Sequence, residues 1–147
     1  MNKIESFKID HLNLHPGLYV SRRDQKGDVT VTTFDLRITA PNREPVIDVP
    51  ALHTIEHLCA TYLRNSDQKD NVVYFGPMGC RTGCYLVMFG DLNSQDVYDL
   101  VLDMCDFVID FEGDIPGASP IECGNYSEQN LNMAKYYIKK YKENLKK

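Results

Sequence analysis

The stretch DVTVTTFDLRIT alternates apolar and polar residues and is rich in β-branched side chains, which predicts a strand. Its alternation puts Phe34, Leu36 and Ile38 on one face and Asp35 and Arg37 on the other. LYVSRR before it, with KGD between, predicts an antiparallel partner and a turn. The period then changes. VPALHTIEHLCATYLRN has Pro50 in its first turn and Leu52, Ile55, Cys59 and Tyr62 at helical spacing. VVYFGPMG and CYLVMFG predict two more strands around a glycine-rich turn. SQDVYDLVLDMCDFVIDF predicts a helix capped by Ser94 or Asn93, with Val97, Leu100, Val101, Met104, Val108 and Phe111 in one stripe. EGDIPGASP is a loop by its Gly and Pro content. A last helix is predicted from Ser127, with Leu131, Ala134, Ile138, Tyr141 and Leu145 on one face.

Strands, helix, strands, helix, helix is an order that suits an α+β fold better than a βαβ repeat. The expected architecture is a two-layer sandwich, an antiparallel β-sheet with helices packed on it. The 147 residues show no repeat or linker, so residues 1–147 are expected to form one domain.

Composition narrows the function. With 43% hydrophobic and 25% charged residues the chain is of the globular kind, and no apolar run reaches the roughly 20 residues a membrane helix needs. MNKIESFKID lacks the apolar core of a secretory signal, so a cytoplasmic location is expected. A net charge of −5 argues against nucleic acid as a partner, because phosphate binding needs a basic stripe. The basic run KYYIKKYKENLKK sits at the end of the last helix, where cations are favoured anyway. Five cysteines with no CxxC pair are expected to be reduced thiols rather than a disulfide framework.

The candidate chemistry starts at HTIEH. Residues four apart share a helix face, so His53 and His57 are spaced to chelate one ion, away from the stripe of Ile55, Cys59 and Tyr62. Glu56 beside them is placed as a general base, and the pattern is a zinc-hydrolase signature. Two histidines need a third ligand. Cys123 and Glu122, in IECGNY, are the two candidates: His2Cys and His2Glu sites both occur with an open fourth position. Cys80, among glycines and beside Arg81, is either a thiol activated by a neighbouring cation or a small residue in a tight hairpin. Cys59 and Cys105 fit the apolar stripes of their helices, and Cys84 is expected to pack within its strand.

In order along the chain stand ESFKIDH, FDLRITAPN, HTIEHL, GPMGCRTGCYLV and ECG. Together these resemble the S-ribosylhomocysteine lyase family, whose product is the precursor of autoinducer-2, over Glu5 to Gly124. The resemblance implies a divalent metal held by His53, His57 and Cys123, one per subunit, with iron(II) native and zinc or cobalt substituting. It implies Cys80 and Glu56 as the acid–base pair, and Ser6, His11 and Arg37 as residues that bind the substrate. It further implies a homodimer whose active sites draw residues from both subunits. Tyr74 and Gly76 stand where the family usually has an aspartate and a serine, and Cys84 where it usually has an aromatic residue. The implied reaction moves a sugar carbonyl twice and then eliminates homocysteine. It needs no nicotinamide or flavin, and no GxGxxG stretch is present.

Overall fold

The computed structural model describes residues 1–147. Two long strands, β1 (Gly17–Lys26) and β2 (Val29–Arg37), form a hairpin, with Lys26 opposite Val29 across a two-residue turn. Gly27 takes the first central position of that turn at φ 60°, where a side chain would be strained. Helix α1 (Val49–Asn65) leads to β3 (Val72–Pro77) and β4 (Gly83–Phe89), and α2 (Ser94–Asp110) and α3 (Leu131–Leu145) complete the chain. The sheet order is β1-β2-β4-β3 with every pairing antiparallel. The α+β class and the element order expected from the sequence are both found.

The strand alternation sets the layers. Phe34 and Leu36 of β2 and Cys84, Leu86 and Met88 of β4 face the helices and are buried. They meet Ile55, Leu58, Cys59 and Leu63 of α1, Val97, Val101, Met104, Cys105 and Val108 of α2, and Ala134, Ile138 and Tyr141 of α3. Cys59, Cys84 and Cys105 are therefore core residues, as their positions in the apolar stripes required. All five cysteines are free thiols. No helix is long and apolar enough to cross a membrane.

Caps fix the helix starts. Asp48 accepts from the Ala51 amide at the head of α1, and Asn93 with Asp96 forms a reciprocal capping box on α2. The last helix starts at Leu131, later than Ser127. The cause is local: Asn130 is extended at φ −150°, its side chain caps Met133, and its own amide donates to Thr54 Oγ1 on α1. Residues 127–130 are thus used to clamp α1 rather than to extend α3.

The other sheet face carries no α-helix, only the N-terminal segment around Ser6 beside Thr33 and Tyr85. Tyr19, Val29, Tyr74 and Phe89 are exposed there, yet Asp35 and Arg37 on the same face are only 1% accessible.

Candidate metal centre and thiol pocket

Helix α1 presents His53 and His57 from successive turns, as their spacing predicted. Loops hold both rings from outside. His53 Nδ1 lies 2.8 Å from the Glu128 carbonyl and His57 Nδ1 lies 2.8 Å from the Pro116 carbonyl. A carbonyl only accepts, so each Nδ1 carries the proton and each Nε2 keeps its lone pair. Those two Nε2 atoms face each other at 3.0 Å. Two lone pairs at that distance repel unless a cation sits between them. Cys123 Sγ completes the group, 3.4 Å from His53 Nε2, and all three ligand atoms lie within 4.8 Å of one another.

These separations fit a metal. Bonds of about 2.0 Å to nitrogen and about 2.3 Å to sulfur, arranged tetrahedrally, separate two nitrogens by about 3.3 Å and nitrogen from sulfur by about 3.5 Å. The carbonyl partners on Nδ1 are the outer support that metal-binding histidines usually have. Of the two candidates for third ligand, Cys123 is the one that joins the histidine cluster. Glu122 is outside the cluster and its carboxylate accepts from Ser119 Oγ at 2.7 Å.

Gly117 is part of this support. It has φ 74°, and a Cβ there would stand 3.1 Å from His57 Nδ1. The loop passes so close to the ring that only glycine leaves it undisturbed. On the other side, Thr54 Oγ1 donates to Gln129 Oε1 at 2.7 Å and ties α1 to the segment that holds His53. Glu56 is half-buried on the same helix. Burial pushes the Cys84 thiol well above its ordinary value, and the nearby Glu56 charge adds to the shift.

Cys80 lies elsewhere, on the β3–β4 turn. Its thiol is exposed and lines a cavity of about 350 Å³ with Ser6, Phe7, His11, Arg37, Met78 and Tyr85. The turn holds Arg81 at φ 60°, with its carbonyl bonded to the Ile47 amide ahead of α1. Ser6 comes from a short 3-10 turn, Glu5–Phe7, and His11 Nδ1 is 2.8 Å from the Ile9 carbonyl. Arg37 forms the floor. Its Nε and Nη2 donate to Asp35 at 3.1 and 2.5 Å, and its Nη1 donates to Thr82 Oγ1 at 2.8 Å and to Cys80 Sγ at 3.9 Å. A larger cleft of about 500 Å³ borders Asp67, Asp96, Asp99 and Asp103, but none of the predicted site residues lines it, so we place the chemistry in the smaller cavity.

Seven of the eight predicted residues fall into two groups, and Glu56, next to His57 on α1, belongs to neither. His53, His57 and Cys123 converge, and Ser6, His11, Arg37 and Cys80 line one cavity that none of those three ligands reaches. Asp35, Thr82, Gly117 and Gln129 also support these two groups. Only Asp35 left a signal in the sequence, two residues from Arg37 on the same strand face.

The profile of the S-ribosylhomocysteinase (LuxS) family matches residues 4–147. The chain belongs to that family. A protein of Finegoldia magna named S-ribosylhomocysteine lyase is 60% identical over 141 residues, which cover 96% of this chain and 90% of that one. Proteins with the same name from Clostridium acetobutylicum and Borreliella burgdorferi are 54% and 56% identical, with 96% of this chain and 90% of each covered. The chain is accordingly a carbon–sulfur lyase.

Proposed function

We propose that the chain cleaves S-ribosylhomocysteine to homocysteine and 4,5-dihydroxy-2,3-pentanedione, the autoinducer-2 precursor, as a metal-dependent carbon–sulfur lyase. One observation carries this: a three-ligand metal cluster and an exposed thiol in a cavity occur together in a chain whose relatives at 54–60% identity are named for that lyase. His53, His57 and Cys123 would hold one divalent ion, which we assign as iron(II), the donors also suiting zinc or cobalt. When bound, the ion supplies Lewis acidity to the sugar's carbonyl and hydroxyl oxygens.

The side chains move the protons. Cys80 and Glu56 act as the acid–base pair on the two flanks of the sugar. A proton leaves the hydroxyl-bearing carbon next to the carbonyl while the carbonyl oxygen gains one. Reprotonation of the old carbonyl carbon, with loss of the neighbouring hydroxyl proton, moves the carbonyl by one carbon. A second round brings it next to the carbon β to sulfur. Removal of the intervening proton then forms a carbon–carbon double bond as the C–S bond breaks, and homocysteine leaves as the thiol after taking up a proton. Ser6 and His11 bind sugar hydroxyls in the cavity, and Arg37 offers them the one N–H that Asp35, Thr82 and Cys80 leave uncommitted.

We assign a homodimer whose active sites draw residues from both subunits. Two features support it: the exposed side chains Tyr19, Val29, Tyr74 and Phe89 on the sheet face away from the α-helices, and the separation of the thiol cavity from the metal ligands within one chain. Five free thiols suit a cytoplasmic enzyme.

The test is release of free thiol from S-ribosylhomocysteine by protein purified under nitrogen. Release above that of Cys80→Ala is expected, and none above that control would end the proposal. Glu56→Gln should keep its metal and lose turnover, and loss of metal instead would make Glu56 structural. Sedimentation should give twice the chain mass, and a monomer with full activity would remove the shared site.

A further inference from the structure

The Cys80 thiol stands at the end of a chain of polar groups that begins on the neighbouring strand. Asp35 holds the Arg37 guanidinium through two N–H groups, and both side chains are 1% accessible. Arg37 has no acceptor to offer, so its contact with Thr82 has only one possible direction: Nη1 donates and Thr82 Oγ1 accepts, at 2.8 Å. Thr82 Oγ1 also lies 3.2 Å from Cys80 Sγ and has no third partner. With a lone pair given to Arg37, the hydroxyl directs its single proton at the sulfur. Thr82 is itself buried, so water does not compete for that proton.

We propose that Thr82 is a positioning residue for the proton-transferring thiol. Its hydroxyl, oriented by the Asp35–Arg37 pair, donates to Cys80 Sγ and holds the sulfur at the mouth of the cavity lined by Ser6 and His11. The proposal rests on Cys80 being an acid–base group. A donor aimed at the sulfur fixes which way its lone pairs point, and a lone pair facing the cavity is what can take a proton from carbon. The neighbouring guanidinium, 3.9 Å from Sγ, is too distant to fix the sulfur's direction.

The test compares Thr82→Val with Thr82→Ser in the metal-loaded protein. The readout is the rate of Cys80 alkylation by iodoacetamide at neutral pH, followed by peptide mass. Losing the hydrogen bond that directs the sulfur should slow Cys80 about tenfold in the valine variant, and serine should stay within about twofold of the parent. In turnover, kcat should fall about tenfold for valine with KM unchanged. Valine at the parent's alkylation rate would overturn the proposal, and so would serine as slow as valine. A fall accompanied by new labelling of buried Cys59, Cys84 and Cys105 would mean general loosening and would overturn it too. If valine does not fold, Thr82→Ala carries the same expectations. Turnover surviving in Cys80→Ala would end the acid–base assignment, while the alkylation series would still decide the hydrogen bond.

Discussion

Replacing Asp35 with alanine leaves Arg37 charged and buried. In the intact protein the pair is joined by bonds of 2.5 and 3.1 Å, with both side chains 1% accessible. Directly across the sheet from Asp35 stand Tyr19 on β1 and Tyr85 on β4. Burial and then the Asp35 charge push both phenols above their ordinary value, so the carboxylate works where water screens it little. Breaking a buried pair by removing one partner costs about 3–5 kcal/mol, because the remaining charge loses its compensation. The Arg22–Asp24 pair on the same sheet is the control, with side chains 44% and 53% accessible. An exposed pair of that kind contributes at most about 1 kcal/mol. For a chain of this size 1 kcal/mol is roughly 2–4 °C in Tm, so Asp35→Ala should lose about 10 °C and Asp24→Ala about 3 °C or less. Both remove one negative charge, so net charge cancels in the comparison. Calorimetry at one fixed protein concentration checks it, since subunit association would otherwise enter the Tm. An Asp35→Ala protein melting within about 2 °C of Asp24→Ala would refute the reasoning. Arg37 would then reach solvent or another acceptor, and the pair could not be what fixes Thr82.

Gly117→Ala should lower metal affinity about ten- to a hundredfold, because a Cβ 3.1 Å from His57 Nδ1 displaces a ring that the Pro116 carbonyl orients; competition with a chelator measures it, and an unchanged affinity would clear the loop of that role. Tyr141→Phe should cost about 1 kcal/mol in urea denaturation, since the buried phenol donates to the Gly17 carbonyl at 3.0 Å and ties α3 to the start of β1. Stability should also fall on the alkaline side. Burial, aided by the Asp106 charge, pushes the Cys105 thiol from 9.0 to about 12, so the unfolded chain loses this proton first. The stabilisation is whole below pH 9 and is lost as the pH rises from there towards about 12, at no more than about 1.4 kcal/mol per pH unit for this group. Cys105→Ala should show a shallower alkaline decline in urea midpoint, and an unchanged slope would remove Cys105 from the account.

The periodic signals in the sequence were legible because burial on one face is what creates them. Phe34 and Leu36 pack as their alternation requires, and the i,i+4 spacing of His53 and His57 survives directly as two converging Nε2 atoms. What holds those atoms was not legible, for a physical reason. The Glu128 and Pro116 carbonyls act through the backbone, 75 and 59 residues from the histidines they orient, and a carbonyl has no residue type to betray it. Gly117 is equally silent, because one glycine in a Gly/Pro loop carries no sign that it passes against a ring. The start of α3 was misplaced by the same kind of long-range tie, the Asn130 amide on Thr54. Alternation misled differently at Asp35 and Arg37. Polar residues on the face away from the helices are expected in water, yet these two are as buried as Leu36. They can be, because each satisfies the other and Thr82 takes a further guanidinium N–H. The neighbours Tyr19, Tyr74 and Phe89 reverse the pattern, apolar where water is expected. A sheet face that sets exposed aromatics beside buried ions is not patterned for solvent. It is patterned as an interior surface, and that is the physical support for the proposal that a second copy of the chain sits on it.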